Sequence, residues 1–367
     1  MTRLVVQRIV LVACGIAVGL AAAEVGLRLA ARTASPLSWK LRDWDPWESR
    51  LELLGASCYR ARPGTVLPFP NGIVAHVNGL GYRGPEVAIP KPAGTYRVVL
   101  LGGSTTHGYL VDDDQTIDAH LRRALAGGRN VEVVNLGLEG LDAICDEERL
   151  RLEGLRLAPD AVVVHTGVND ALALRFDRLA PNDPARGFRA QQRRAEEARA
   201  RAHGAWAALK HLVFLARVPG IVRNLSTWPP TALPGPAYPS AVALDAFAST
   251  IRDLVARLPV TTTVVLSTPP TSVGFSERLE CGARVGDAAT TTRYRAALDG
   301  VLRRVAVELG ASGRPVTYVP HAIGAAELLD DCHLTGNGNR QIAEDFAAVL
   351  APYVLSADAG GGMRDAR

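Results

Sequence analysis

The sequence predicts an α/β protein: a three-layer α/β/α, flavodoxin-like fold with a five-stranded parallel sheet, preceded by an N-terminal transmembrane helix. Three observations carry this. First, short apolar runs recur from Tyr96 onward, each followed by a segment with helical spacing. Strands alternating with helices form a parallel sheet covered on both faces, with right-handed crossovers. Second, the run Val98-Val99-Leu100-Leu101 is apolar without alternation, the pattern of a strand buried on both sides. Third, residues 9–27 carry one charge, Glu24.

The chain begins with Arg3 and Arg8, then the apolar segment, then Arg28. Its 19 residues approach the ~20 that a spanning helix needs. Glu24 falls near one end, where a charge costs less than at mid-bilayer. A signal peptide cleaved near Ala21-Ala22-Ala23 competes with an uncleaved anchor, and the anchor is the preferred reading. A lipoprotein reading at Cys14 is set aside, because Ile9–Ala13 is too short an apolar region. Positive charge on both flanks leaves orientation open.

Residues 32–95 read as an irregular lead-in packed on the main domain, with short strands. The stretch from Asn78 to Glu86 is dense in turn signals. The main domain is placed at residues 96–355. Its strands are predicted at Tyr96–Leu101, Val131–Asn135, Ala161–His165, Thr263–Ser267 and Val316–Val319. Helices are predicted near Ala119–Ala126, Leu141–Leu155, Ala241–Arg257, Thr292–Leu309 and Asn337–Leu350. An insertion at about 175–240 combines an arginine cluster, apolar residues and a Pro-rich stretch. It reads as a solvated, salt-bridged helix, with a basic lid as the functional alternative. Residues 356–367 form a flexible tail. The composition, 48% hydrophobic with a net charge of +4, supports a sizeable core and no nucleic-acid partner.

Four stretches fall at strand ends or helix starts, where open α/β sheets place their chemistry. They are Gly102-Gly103-Ser104-Thr105, Asn135-Leu136-Gly137-Leu138-Glu139-Gly140, Gly167-Val168-Asn169-Asp170 and Asp330-Asp331-Cys332-His333. Singly, each reads as a turn or a helix cap. Together and in this order they resemble the SGNH (GDSL-type) hydrolase superfamily, over about Tyr96 to Leu355 without the insertion. The resemblance implies the flavodoxin-like SGNH fold and ester chemistry at a serine, with no metal and no organic cofactor. A fainter likeness, in Asn78–Glu86 and the apolar start, is to membrane-anchored bacterial members found with cell-surface polysaccharide machinery. It implies an inner-membrane anchor with the catalytic domain periplasmic or otherwise outside the cytoplasm.

Acyl transfer needs a nucleophile, a base, an orienter and an oxyanion site. Ser104 is the expected nucleophile and His333 its base, then the acid for the leaving group. Asp330, three residues before His333, is the expected orienter, with Asp331 as the alternative. The expected oxyanion donors are the Ser104 and Gly140 backbone N–H groups and the Asn169 amide. Spacing alone does not separate Gly140 from Gly137; family likeness selects Gly140. His107, His165 and His321 are read as pocket or packing residues. The family commonly has Asp before the serine where this chain has Gly103, which is expected to alter local hydrogen bonding.

Five cysteines, Cys14, Cys58, Cys145, Cys281 and Cys332, allow two disulfides outside the apolar segment, and spacing does not pair them. Cys281–Cys332 is one candidate pair. The leading function is a serine esterase removing a short acyl group, such as acetyl, from a small-molecule or polysaccharide ester or a lipid. An O-acyltransferase acting on an extracellular polysaccharide and a non-catalytic polymer-binding protein are the alternatives.

Overall fold

The structure is a computed structural model and describes residues 2–32, 50–55, 58–69, 71–127, 130–172, 209, 212–219, 238–271 and 287–356. Most of the insertion, the tail and Cys281 therefore lie outside the described residues.

The chain divides into two units. The smaller contains helix α1, Thr2–Ala30. Within Arg3–Ala30 an 18-residue window has a mean hydropathy of 2.2, and none of that window is buried. At ~1.5 Å per residue α1 exceeds the ~30 Å hydrocarbon thickness of a bilayer. Glu24 pairs with Arg28 at 2.8 Å and accepts from the backbone N–H of Phe214 and Leu215 at 3.0 and 2.9 Å. Those two residues open a short 3-10 turn, Phe214–Arg217, so the carboxylate serves as its acceptor.

The larger unit carries the sheet. Two short pairs come first: Leu51–Leu54 (β1) with Cys58–Ala61 (β2), antiparallel, and Val66–Pro68 (β3) with Val74–His76 (β4). The main strands follow: Thr95–Gly102 (β5), Asn130–Asn135 (β6), Ala161–His165 (β7), Thr263–Ser267 (β8) and Val316–Tyr318 (β9). They are parallel, in the order β6-β5-β7-β8-β9. Counted along the sheet's own strands this is 2-1-3-4-5, the predicted flavodoxin-like order.

Between and after the strands lie Ser104–His107 (α2), Ile117–Ala124 (α3), Ala143–Arg149 (α4), Val168–Leu172 (α5), Ala241–Ala256 (α6), Ala288–Ala311 (α7) and Gly336–Ser356 (α8). Strand alternation makes the layers. Val99, Leu101, Val162, Val164, Val264 and Leu266 face α6 and α7 through Phe247, Ile251, Leu298 and Leu302. Val98, Leu100, Val131, Val133 and Val163 face α3 and α8 through Ile117, Leu121, Ile342 and Phe346. Every residue of β5 is buried, as its unbroken apolar run demands.

The expected single helix over Leu141–Leu155 is a correction. Asp142 accepts from the Cys145 N–H at 3.0 Å, so the helix starts at Ala143. It then widens into one π turn, Leu150–Gly154, and tightens into a 3-10 turn, Leu155–Leu157. Gly154 accommodates this, since a Cβ there would lie 2.8 Å from Leu150 Cδ1. The last two helices run longer than predicted at both ends.

Two buried polar features sit in this core. Arg97, on β5, is 0% exposed and donates to Glu132 (2.7 Å), the Leu157 carbonyl (2.8 Å) and the Ala88 carbonyl (2.8 Å). His165 and His321 pack edge to face at 5.4 Å between ring centroids, with Nδ1 on Ser267 Oγ (2.6 Å) and Asp345 Oδ2 (2.8 Å) respectively. Burial pushes the His165 imidazole well below its usual pKa, and the neighbouring His321 and Arg295 add to this. Burial also lowers His321, against the opposing pull of Asp345.

Replacing Arg97 by Ala strands the buried Leu157 carbonyl and empties the space of a fully buried side chain. We expect Arg97→Ala to cost about 2–4 kcal/mol, read as a lowered urea midpoint of the full chain in detergent. The histidine pair makes stability depend on pH. Both folded pKa values lie below the unfolded value of ~6.5, so below that pH the unfolded chain takes up protons the folded chain refuses. Their contribution to stability is intact above ~6.5 and falls with falling pH, by up to ~1.4 kcal/mol per pH unit for each ring. Asp146, whose carboxyl is raised by burial, contributes the opposite slope. The measurement is therefore the difference in slope between the parent and His165→Gln, pH 6.5 to 5, with the variant expected to be flatter.

Candidate active site

The carboxyl ends of β5, β6 and β7 converge, and α8 returns beside α3, so that four loops meet. β5 delivers Gly103 and Ser104, and Ser104 is the first residue of α2. As a helix-start donor its backbone N–H has no partner within the helix. The loop before α8 delivers residues 330–335, and Asn339 Nδ2 donates to the Gln115 carbonyl at 3.0 Å, tying α8 to the segment that leads into α3.

The structure brings Ser104, His333 and Asp330 into one line. His333 Nε2 lies 2.7 Å from Ser104 Oγ, and His333 Nδ1 lies 2.6 Å from Asp330 Oδ2. An ionised carboxylate only accepts, so Nδ1 carries the hydrogen and Nε2 is the acceptor for the serine hydroxyl. Asp330 Oδ1 also accepts from the backbone N–H of Cys332 (2.9 Å) and His333 (2.8 Å), which fixes the carboxylate plane. Burial alone would raise the Asp330 carboxyl. The hydrogen bond from His333, with those two N–H groups, outweighs it and holds the pKa below the usual value. The carboxylate on Nδ1 is thus that of Asp330 and not that of its alternative, Asp331.

The second and third stretches close around Ser104. Gly137 N–H already donates to Asn135 Oδ1 at 2.9 Å. Among the described residues, the N–H groups of Ser104 and Gly140 have no acceptor. Gly140 has φ +76°, a left-handed conformation that glycine adopts without strain. Asn169 Nδ2 donates one hydrogen to the Leu141 carbonyl at 2.7 Å and keeps a second. Gly103 explains the departure from the family pattern: a Cβ there would lie 2.5 Å from Asn169 Nδ2. The side-chain amide occupies the space an aspartate would need. A small cleft opens here, lined by Ser104, Leu141, Thr166, Val168, Asn169 and Pro269 among others.

The other histidines are engaged elsewhere. His107 Nδ1 meets Glu139 Oε1 at 2.8 Å, and His165 and His321 form the core pair. Three residues absent from the motifs join the site. The Tyr109 ring packs on His333 with 4.6 Å between centroids, and its hydroxyl pKa is raised by burial, then by the nearby Glu139 and Asp330. Arg83, buried, donates to the carbonyls of His107, Gly108 and Val111, holding the turn that carries Tyr109. Tyr59 donates to the Glu139 carbonyl at 2.6 Å. Only Arg83 lies in a stretch that the sequence marks, the turn-dense Asn78–Glu86.

Cys58 and Cys145 form a disulfide with Cα atoms 4.9 Å apart, and Cys14 is free. Cys332 is also disulfide-bonded, while its candidate partner Cys281 lies outside the described residues. Asp330, Cys332 and His333 place ligand-type atoms within 4.8 Å of one another. They make a poor metal site, because a disulfide sulfur is no thiolate and both His333 nitrogens are engaged.

The profile of the GDSL-like Lipase/Acylhydrolase family matches residues 100–341. No curated protein matches the chain. Among solved structures, a lipase/acylhydrolase from Enterococcus faecalis is 16% identical, with a TM-score of 0.41, covering 70% of this chain and 96% of that one. An acetylxylan esterase from Geobacillus stearothermophilus is 16% identical, TM-score 0.39, covering 70% and 94%. A GDSL-like lipase from Bacteroides thetaiotaomicron is 16% identical, TM-score 0.37, covering 71% and 88%. With the family profile spanning all four stretches from the nucleophile strand to the start of α8, the chain belongs to the GDSL-like lipase/acylhydrolase family of ester hydrolases.

Proposed function

We propose that this protein is a membrane-anchored serine esterase that removes short acyl groups, such as acetyl, from carbohydrate or lipid esters outside the cytoplasm. The observation that carries this is the unbroken chain Ser104 Oγ, His333, Asp330, with hydrogen bonds of 2.7 and 2.6 Å.

The chemistry follows from those atoms. Ser104 Oγ attacks the ester carbonyl carbon while its proton passes to His333 Nε2. The carbonyl π pair moves to oxygen, and that oxyanion is met by the N–H groups of Ser104 and Gly140 and the free Asn169 N–H. Asp330, held ionised, stabilises the imidazolium and keeps its tautomer. Collapse of the adduct expels the alcohol, which takes the proton from His333 Nε2. Water then attacks the acyl-Ser104 ester, giving its proton to His333. The carboxylic acid leaves and the Ser104 hydroxyl is restored.

The pocket supports a short acyl group. It is a small cleft walled by Ser104, Leu141, Val168, Asn169 and Pro269, which leaves little room beside the serine. The anchor reading is supported by the length of α1, which continues as one helix past the candidate cleavage site to Ala30.

The test is hydrolysis of p-nitrophenyl acetate, butyrate and octanoate by the full chain in detergent. Acetate is expected to be the best substrate. Ser104→Ala and His333→Ala are expected to abolish turnover, and Asp330→Asn to lower kcat on the order of 10³–10⁴-fold with little change in KM. Transfer of acetyl to an added oligosaccharide in preference to water would reassign the protein as an acyltransferase. Full activity of Ser104→Ala would remove the serine mechanism altogether.

A further inference from the structure

Three consecutive residues of β2 brace the second stretch of the site. Cys58 is disulfide-bonded to Cys145 in α4. Tyr59 donates its hydroxyl to the Glu139 carbonyl at 2.6 Å. Arg60 pairs with Glu153 at 2.7 Å, and Glu153 holds Arg149, whose guanidinium donates to the Leu136 carbonyl. The segment 136–145 is thus tied to β2 at both ends and in the middle. β2 lies in the lead-in, before the residues the family profile matches.

The middle tie has chemical content. The Glu139 carbonyl and the Gly140 N–H belong to one planar peptide unit. A hydrogen bond accepted by the carbonyl polarises that unit and strengthens its N–H as a donor. It also fixes the direction in which the N–H points. Tyr59 is 6% exposed, and a Cβ on Gly140 would lie 2.8 Å from its hydroxyl oxygen, so no other residue fits between them. From the opposite side, Glu139 Oε1 meets His107 at the end of α2, the helix that begins with Ser104. The peptide is clamped between β2 and the nucleophile's own helix.

We infer that Tyr59 is a positioning residue for the oxyanion site, acting through the Glu139–Gly140 peptide. This rests on the esterase reading above, with Gly140 as a donor. Tyr59 touches no reacting atom; its hydroxyl orients and polarises the donor that does. Its effect therefore belongs to the transition state, where charge appears on the carbonyl oxygen, and not to substrate binding.

Tyr59→Phe removes the hydroxyl and keeps the ring. Two readouts are taken on the full chain in detergent: steady-state hydrolysis of p-nitrophenyl acetate, and the rate at which a fluorophosphonate probe labels Ser104. The phosphonyl oxygen of that probe enters the same oxyanion site. The expected result is a fall of about tenfold in both kcat and labelling rate, the worth of one hydrogen bond, with KM unchanged and the melting temperature lowered only by the loss of that one bond. Unchanged kcat and labelling would overturn the inference and leave the esterase reading standing. A raised KM with a lowered melting temperature would overturn it too, making Tyr59 a packing residue. A parent chain with neither Ser104-dependent turnover nor labelling would overturn the esterase reading itself, and this inference with it.

Discussion

The hydrogen bond from Ser104 to His333 joins residues 229 positions apart, and the architecture serves to make it possible. Ser104 follows β5, a strand buried along its whole length and flanked by β6 and β7. His333 comes from the other end of the domain, beyond the edge strand β9. It reaches the serine because α8 packs on the same face as α3, through Ile342, Phe346 and Leu350. A Cβ on Gly336 would lie 3.0 Å from Gln115 Oε1, so the start of α8 sits close against the turn before α3. Hydrophobic packing of one helix thus sets the register of a polar contact at its tip. A 2.7 Å bond tolerates little sliding of that helix.

Burial then decides the charges. Asp330 is enclosed enough that desolvation works against its ionised form, yet its hydrogen bonds hold it ionised. His165 is enclosed with only Ser267 on Nδ1, and the same physics holds it neutral. Asp146 lacks compensation of that strength, and burial drives its carboxyl toward the protonated form. Three buried ionisable groups close to one site thus take three different states. The difference lies in the number and charge of the partners that each receives.

Much of this was legible in the sequence because its signals are local. An unbroken apolar run such as Tyr96–Leu101 is seen whole within one window, and two of the five strands were placed at their observed limits. The four polar stretches are equally local, and the chain order of strands and helices brings them to one sheet edge. What stayed hidden depends on partners distant in sequence. Tyr59 lies 80 positions from the carbonyl it meets, in a hairpin with no motif. Cys58 and Cys145 are separated by 87 positions, and spacing cannot pair them. Arg97 reads as a flaw in a buried strand until its three acceptors are seen. The broken helix after Asp142 was missed because helical spacing persists through a π turn.

Gly103 shows how a departure from a family pattern becomes intelligible only with geometry. By sequence alone, the absence of the aspartate before the serine suggests only a looser local hydrogen-bond network. In the structure the space beside Gly103 holds the Asn169 amide, 2.5 Å from where a Cβ would stand. That amide is anchored by the Leu141 carbonyl, and Leu141 follows Gly140 directly. The absent side chain therefore lets three stretches of chain close on one another. A side chain at 103 would require the Asn169 amide to shift. Gly103 leaves room for the Asn169 amide beside Ser104, and the tie from Tyr59 to the Glu139–Gly140 peptide holds the adjoining stretch in place.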